Sequence, residues 1–229
     1  MRALGLIPAR GGSQGVPGKN LRPLAGRPLL AYTARDALAS GLDRVVLSTD
    51  DEAIATVGRE LGLDVPFLRP AELATSEAPT LGVVRHAIDV LAAAGDDYDA
   101  VCLLQPTSPV RAPGLIDECL ARLAASGADS VVTVRPVPLE FHPDWVYHLD
   151  ADGGLALASG AAEPVTRRQD LTAAYHRDGA VYVTRTEVVQ AGSLYGHRVV
   201  GVVAAGPSVN IDTEDDFRRA EALAQALGW

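Results

Sequence analysis

A glycine-rich segment with two basic residues follows the first apolar run of the chain. It spans residues 7–20 and reads IPARGGSQGVPGKN. Four glycines leave few side chains over the backbone, so its N–H groups can approach an anion while Arg10 and Lys19 supply positive charge. The segment is typical of a phosphate-binding loop, and the alternative is a flexible surface loop.

Two common glycine motifs do not fit this segment. A Walker loop has a glycine six residues before its lysine and a Ser or Thr after it, whereas Ser13 and Asn20 hold these places around Lys19. No three glycines have the spacing i, i+2, i+5 of a dinucleotide-binding turn. The loop therefore predicts a phosphate site of another kind.

A second candidate segment, QPTSPVR, spans residues 105–111. Its two prolines restrict the backbone between a predicted strand and a helix, so we expect Gln105 and Arg111 to project at the end of the sheet as a binding edge. The alternative is a helix entry that proline stiffens.

Oxygen-bearing side chains form a third candidate near the C-terminus, in SVNIDTEDDF. Asn210 and Asp212 lie after a predicted strand and before a helix, a position where oxygen ligands could hold Mg²⁺ beside a phosphate. Alternatively, Asp212 only complements the helix dipole, as we expect of the acids that follow it.

A fourth polar group includes paired arginines and two tyrosines. It is either a solvated face or a site that recognises an acid through guanidinium groups. Its members are Arg167, Arg168, Gln169, Tyr175, Asp178 and Tyr182.

Apolar runs and helical patterns alternate through the first two thirds of the chain. Strands are predicted at 3–7, 44–48, 100–104, 130–134, 179–184 and 198–204, and helices at 28–39, 50–61, 81–94, 113–125 and from Thr213 onward. This order predicts an α/β fold of three layers, a mainly parallel sheet with helices on both faces. Thr49 and Glu52 predict a capping box for the second helix. Ligands of such sheets gather outside the carboxyl ends of the strands, which is where the polar segments fall.

Composition narrows the classes of partner. A chain of 229 residues with a formal net charge of −9 has no block of basic residues, so we expect no nucleic-acid partner. The N-terminal apolar run breaks at Pro8 and is too short for a signal peptide or a membrane span, so we expect a cytoplasmic protein without a membrane partner. Cys102 and Cys119 are expected to be buried thiols, and scattered histidines predict neither a zinc site nor a thiol nucleophile.

Four motifs in order resemble those of the acylneuraminate cytidylyltransferase family, enzymes that activate nonulosonic acids as CMP-sugars. They are the glycine-rich loop, LLQPTSPVR, RRQDLTAAYHRDGAVYV and NIDTEDDF, and RPAEL at 69–73 adds a further match. The resemblance runs from Leu6 to Glu221. It implies a nucleotide-diphospho-sugar-transferase-like (Rossmann-like) fold in a single domain over 1–229. It also implies a homodimer in which the excursion 136–172 serves as the dimerisation arm.

The resemblance further implies that CMP passes from CTP to a nonulosonic acid with release of pyrophosphate and with Mg²⁺ as cofactor. The catalytic residues would be Arg10, Lys19 and Asp212. The nucleotide would contact Leu6, Ala9, Arg10, Gly11, Gly12, Ser13, Lys19, Asn20, Arg69 and Thr80. The acid sugar would contact Gln105, Arg168, Gln169 and Tyr182, and the metal would bind at Asp212 and Asn210.

Three residues depart from the family pattern. Gln14 stands where the family usually has lysine, Asn210 where it has aspartate, and Asp178 where it has asparagine. The last two leave open a guanylyl- or Kdo-type nucleotidyltransferase of the same fold. A catalytically silent nucleotide-binding homologue is the other alternative.

Overall fold

The computed structural model describes residues 1–228. Its strands are Ala3–Pro8 (β1), Pro23–Leu24 (β2), Arg27–Pro28 (β3), Arg44–Ser48 (β4), Ala100–Leu103 (β5), Ser130–Pro136 (β6), Tyr147–Leu149 (β7), Leu155–Leu157 (β8), Tyr175–Arg185 (β9) and Val199–Val203 (β10). Its α-helices are Leu29–Leu38 (α1), Glu52–Glu60 (α2), Thr80–Ala93 (α3), Leu115–Ser126 (α4), Thr186–Gln190 (α5) and Glu214–Leu227 (α6).

Six strands form the main sheet, in the order β10-β6-β9-β5-β1-β4. β1 lies between β4 and β5 and runs parallel to both. β9 pairs with β5 in the antiparallel direction, with Leu103 opposite Tyr182. The carboxyl ends of β1, β4 and β5 therefore lie side by side, which brings the loops that follow them together.

Alternating side chains of the sheet enter two different cores. Ile7 and Leu47 pack against α1, α2 and α4 on one face. Leu6 and Val46 pack against α3 and α5 on the other. Strands that are apolar on both faces are what a helix-covered parallel sheet requires, so the predicted α/β fold is confirmed.

A third apolar cluster lies beneath the glycine-rich loop. Val16 from that loop, Leu29 and Tyr32 from α1, and Phe217 from α6 are all buried in it. The cluster fixes the glycine-rich loop against the last helix, which is how residues almost 200 positions apart in sequence reach one site.

The chain divides into two compact units. The first comprises residues 1–133 and the chain from residue 178 onward, and the second comprises residues 134–177, which contain the predicted excursion. In the second unit β7 and β8 form a hairpin. The ring Nε2 of His142 lies 2.8 Å from the carbonyl oxygen of Thr172, and the indole of Trp145 donates to the carbonyl of Val165 at 2.5 Å.

The observed start of α6 agrees with the sequence prediction, whereas the observed N-cap of α2 differs from it. Thr213 and Asp216 form a capping box at the start of α6. The capping box predicted from Thr49 and Glu52 is wrong, because Asp51 caps α2 by accepting hydrogen bonds from the backbone amides of Ala53 and Ile54. Thr49 instead accepts from the amide of Asp51 at 3.2 Å.

Candidate active site

A cavity of about 440 Å³ opens at the carboxyl ends of the central parallel strands. Its walls come from the glycine-rich loop, segment 69–80, the loop after β5 and segment 210–212. Nine residues that the sequence assigned to binding or catalysis line it: Arg10, Ser13, Lys19, Asn20, Arg69, Thr80, Gln105, Asn210 and Asp212.

Three cationic side chains in this cavity donate to carbonyl oxygens. Arg10 Nη1 donates to the carbonyl of Thr75 at 2.7 Å, and Lys19 Nζ donates to the carbonyl of Ile211 at 2.6 Å. Arg69 Nε donates to the hydroxyl of Ser48 at 3.0 Å, and its Nη2 donates to the carbonyl of the same residue. The cavity lining thus carries these three cations and one carboxylate, Asp212, so the cavity stays positive in an acidic protein.

Burial shifts the pKa of two of these cations. Burial, and to a smaller extent the nearby Arg10, lowers the pKa of Arg69 to about 10 against the opposing effect of Asp50. Burial also lowers the pKa of Lys19, against the opposing effect of Asp212, whose Oδ1 lies 3.7 Å from Nζ. Both groups lie in a poorly hydrated wall, where an anionic ligand gains most from a cation.

Gly15 lies against the backbone of Asp212. A Cβ atom added at Gly15 would lie 2.0 Å from the carbonyl oxygen of Asp212, a distance that no side chain can accept. With the bond from Lys19 to Ile211, this contact fastens the glycine-rich loop to segment 210–212. The spacing of glycines in the loop therefore serves close packing as well as access to the backbone.

Part of the loop's hydrogen-bonding capacity is used within the protein. The amide of Gly11 donates to Oδ1 of Asp50 at 3.1 Å, and the amide of Ser13 donates to the carbonyl of Gly11 at 3.1 Å. The side-chain amide of Asn20 donates to the carbonyl of Arg10 at 3.0 Å. These bonds shape the loop.

Segment 210–212 carries the candidate metal ligands. Asn210 Nδ2 donates to Oδ2 of Asp212 at 2.7 Å, and the Oδ1 of Asn210 lies 3.4 Å from the hydroxyl of Ser108. The amide of Ile211 donates to the carbonyl of Thr107 at 2.8 Å, which joins the segment to the loop after β5. Asp212 is the one carboxylate among the residues that line the cavity.

Arg111 lies elsewhere than the sequence predicts. Its side chain is 1% exposed, and its guanidinium bonds to Thr33, Gln105 and Ala180 inside the protein. The expectation that it projects at a binding edge is wrong, because α1 and β9 present oxygen acceptors to it. Gln105 does line the cavity, as predicted.

Several residues that the sequence assigned to ligand contacts are not among those that line the cavity. Leu6 and Ala9 are buried in the two cores, and Gly11 and Gly12 are not among the lining residues. Tyr182 is half-buried in β9, packs against the α3 side of the sheet and stacks edge-on to Tyr195 at 6.4 Å. Arg168 and Gln169 are exposed in the second unit.

Asp178 supports the backbone of β9. Its Oδ1 accepts from the amide of Ala180 at 3.0 Å and from the hydroxyl of Thr133. Thr133 in turn accepts from the amide of Val181 at 3.0 Å. The carboxylate that departs from the family pattern is thus bound within the sheet.

Three residues with a part in the site were not predicted. Thr75 holds Arg10, Thr107 holds segment 210–212, and Asp50 holds Gly11. Asp50 and Thr107 follow strands at the carboxyl edge of the sheet, so their positions could have identified them. Thr75 acts through its carbonyl, which no side-chain pattern reveals.

Comparison with known proteins gives the family. Residues 4–198 match the family described as "Cytidylyltransferase". The chain is 34% identical to the CMP-N,N'-diacetyllegionaminic acid synthase of Legionella pneumophila, with 98% of this chain and 97% of that protein covered. It is 31% identical to the pseudaminic acid cytidylyltransferase of Campylobacter jejuni, with 97% and 96% covered.

Solved structures share the fold. A CMP:2-keto-3-deoxy-manno-octonic acid synthetase in complex with CTP matches with a TM-score of 0.73 at 19% identity, with 100% of both chains covered. The 4-diphosphocytidyl-2C-methyl-D-erythritol synthase of Anaerococcus prevotii matches with a TM-score of 0.67 at 14% identity, with 98% of this chain and 96% of that chain covered. Together with the family match over most of its length, these findings show that the chain belongs to the cytidylyltransferase family.

Proposed function

We propose that the protein transfers CMP from CTP to a nonulosonic acid and releases pyrophosphate. The observation that carries this proposal is the set of three cations, Arg10, Lys19 and Arg69, held by neutral oxygens around one cavity. Asp212 is the one carboxylate that lines the cavity with them, so a triphosphate would balance the positive charge that remains. The relatives named above for legionaminic and pseudaminic acid support the class of acceptor.

In the proposed reaction the anomeric hydroxyl of the sugar attacks the α-phosphorus of CTP. A bond forms between the anomeric oxygen and Pα, the bond from Pα to the bridging oxygen breaks with release of pyrophosphate, and the proton of the hydroxyl passes to water. Arg10 and Lys19 stabilise the charge that develops on the departing pyrophosphate. The protein acts by positioning and charge neutralisation, because this chemistry needs no covalent intermediate on a side chain.

The donor set of segment 210–212 fits Mg²⁺ bound together with the nucleotide. Mg²⁺ is commonly held by one or two carboxylates, substrate phosphates and water, and Asp212 offers one exposed carboxylate beside the carbonyl-bearing side chain of Asn210. When bound, Mg²⁺ would neutralise phosphate charge and lower the pKa of the attacking hydroxyl. Asp212 and Asn210 are the residues that would hold it.

The sugar carboxylate calls for a cation and hydrogen-bond donors. We assign Gln105, which lines the cavity, with Arg168, Gln169 and Tyr182 as its contacts, following the family motifs. A guanidinium can bind a carboxylate through two parallel hydrogen bonds, which lysine cannot do. Arg168→Lys is therefore expected to raise the KM for the acid sugar, and an unchanged KM would move the carboxylate contact to another residue.

The experiment is a pyrophosphate-release screen that crosses four nucleoside triphosphates with a panel of sugar acids. The panel contains sialic, legionaminic, pseudaminic and Kdo-type acids, each with and without Mg²⁺. We expect release with CTP, with a nonulosonic acid and with Mg²⁺ present. Pyrophosphate release only with GTP, or only with Kdo as the sugar acid, would assign the protein to a related transferase. Binding of CTP without pyrophosphate release would indicate a silent homologue.

The homodimer is proposed on separate grounds. Five large apolar side chains of the second unit are exposed: Phe141, Tyr147, Leu149, Leu155 and Tyr175. Such a concentration in a unit of 44 residues favours a protein contact, and a second copy of this chain is the proposed partner. Light scattering should give the mass of a dimer, and Leu149→Asp should shift it toward the monomer.

No helix among residues 1–228 is long and apolar enough to cross a membrane. Cys102 and Cys119 are buried free thiols, as predicted, and they support the proposed cytoplasmic location.

A further inference from the structure

Arg111 is a buried cation that the proposed chemistry does not use. It belongs to the loop between β5 and α4, and burial lowers its pKa to about 10, so it remains charged at neutral pH. A buried charge is expensive in free energy, and an apolar side chain at such a position often serves stability equally well. The contacts of Arg111 therefore suggest a geometric task.

The guanidinium joins three segments that are distant in sequence. Nε donates to the carbonyl of Ala180 at 2.9 Å, Nη1 to the hydroxyl of Thr33 at 2.9 Å, and Nη2 to the carbonyl of Gln105 at 2.8 Å. The nearest carboxylate oxygen, Oδ2 of Asp36, lies 4.0 Å from Nη1. Three of the donors are thus used on neutral oxygens whose relative positions they fix.

Two of these partners border the predicted sugar contact. Gln105 lines the cavity, and Gly179 precedes the Ala180 that Arg111 binds. Gly179 has φ of +81°, and a Cβ added there would lie 2.9 Å from the hydroxyl oxygen of Ser108 and 3.8 Å from Oε1 of Gln105. Gly179, within β9, therefore lies beside the hydroxyl of Ser108 and near the Gln105 side chain, and Arg111 bonds to the backbone carbonyls of Gln105 and Ala180.

We infer that Arg111 is a positioning residue for the acid sugar, acting through Gln105 and through β9 at Gly179 and Ala180. This inference rests on the proposed function. Thr33 supplies its third anchor, on α1, which fixes the guanidinium but touches neither side of the sugar contact. The residues assigned to the triphosphate, Arg10 and Lys19, are held by other partners.

The test compares three variants with the wild-type protein. Arg111→Lys keeps the charge but cannot reach three separated acceptors. Thr33→Val removes one bond from the same guanidinium without touching Gln105 or Ala180, so it is the matched control for lost stability. Gly179→Ala disturbs the contact of β9 with the loop after β5 directly, at the hydroxyl of Ser108, and serves if Arg111→Lys does not fold.

The readouts are KM and kcat for the acid sugar, the affinity for an α,β-methylene analogue of CTP, and the melting temperature. For Arg111→Lys and Gly179→Ala we expect the sugar KM to rise about tenfold or more, with affinity for the CTP analogue changed less than about twofold. Thr33→Val should lower the melting temperature and leave the sugar KM nearly unchanged.

Two results would overturn the inference. One is a sugar KM in Arg111→Lys that matches wild type. The other is a parallel loss of sugar and nucleotide affinity in both Arg111→Lys and Thr33→Val, which would show a purely structural role. A wild-type protein that releases pyrophosphate with no sugar acid would refute the proposed function and the inference with it.

Discussion

The arginine and lysine side chains at the amino ends of the parallel strands, here called the amino edge, have different partners from those at the carboxyl ends, the carboxyl edge. At the amino ends of the strands, Arg44 bonds to the carboxylates of Asp64 and Asp96, and Arg2 bonds to Asp96 as well. At the carboxyl ends, Arg10 and Lys19 bond to carbonyl oxygens. The cations at the amino ends are paired with carboxylates, whereas those at the carboxyl ends are held mainly by neutral oxygens.

This difference separates stability from binding. At the amino edge, ion pairs with carboxylates join the starts of β1, β4 and β5 and so stabilise the fold. At the carboxyl edge, a cation that was already paired with a carboxylate would bind a phosphate only weakly. Asp212 is the exception at the carboxyl edge, and it lies within 3.7 Å of Lys19. It is also the residue to which we assign the metal, so its charge has a proposed use.

The largest effect is expected from Lys19→Ala. Removing one preorganised charge contact to a transition state typically costs about 3–4 kcal/mol, so kcat/KM should fall roughly a hundred- to a thousandfold. Steady-state pyrophosphate release measures it, and the melting temperature of the same variant reports whether the fold survives. Turnover within threefold of wild type would show that the glycine-rich loop is not the triphosphate site.

Asn210→Asp makes the carboxyl edge resemble the amino edge by adding a second carboxylate beside Asp212. The Asn210 amide now donates to Asp212, and an aspartate would instead offer a charged oxygen ligand. We expect binding of Mn²⁺ to the free protein, measured by electron paramagnetic resonance, to tighten about tenfold or more. Without metal, the affinity for the CTP analogue should fall because the added charge repels phosphate.

Asn210→Ser is the control for this experiment, since it removes the amide without adding charge. Equal Mn²⁺ affinity in all three proteins would show that segment 210–212 does not hold the metal.

Arg44→Ala tests the amino edge and should have the opposite profile to Lys19→Ala. Arg44 contacts two carboxylates, and partly exposed ion pairs contribute at most about 1 kcal/mol each. A loss of about 1–2 kcal/mol predicts a melting temperature lower by about 2–8 °C, with kcat/KM nearly unchanged. Thermal unfolding followed by circular dichroism gives the first value. A large loss of activity would remove the proposed separation between the edges.

The sequence predicts those features of the fold that depend on residues close together in the chain. Periodicity predicted β4 at 44–48 as observed, and Thr213 was predicted to open α6, which it caps. The cap of α2 was misassigned because Asp51, two residues after Thr49, competes for the same helix end. Local patterns identify the element and leave such competitions open.

For the candidate site, the sequence predicted which residues line the cavity better than it predicted which residues they contact. Arg10, Lys19 and Gln105 line one cavity because their motifs follow adjacent parallel strands. The burial of Arg111 depends on Thr33, 78 residues earlier, and the need for Gly15 depends on the Asp212 carbonyl, 197 residues later. Neither distance is visible in a motif, so both roles required the folded chain.

The smallest expected effect is the pH dependence of the amino edge. Hydrogen bonds from Tyr98, Arg44 and Arg2 lower the pKa of Asp96 to about 2, from an ordinary value of 3.8. A carboxyl whose pKa is lower in the folded than in the unfolded state adds stability above its unfolded value, and that stability disappears as the pH falls toward the folded value. The contribution of Asp96 is therefore fully present near pH 5 and is lost between about pH 4 and pH 2.

Melting temperatures across this range should fall less steeply in Asp96→Asn than in wild type, while Asp97→Asn, the neighbouring carboxylate, should follow the wild-type slope. Identical slopes in all three proteins would mean that the carboxylates of the amino edge do not control acid stability, and the contrast between the edges would then rest on the carboxyl ends alone.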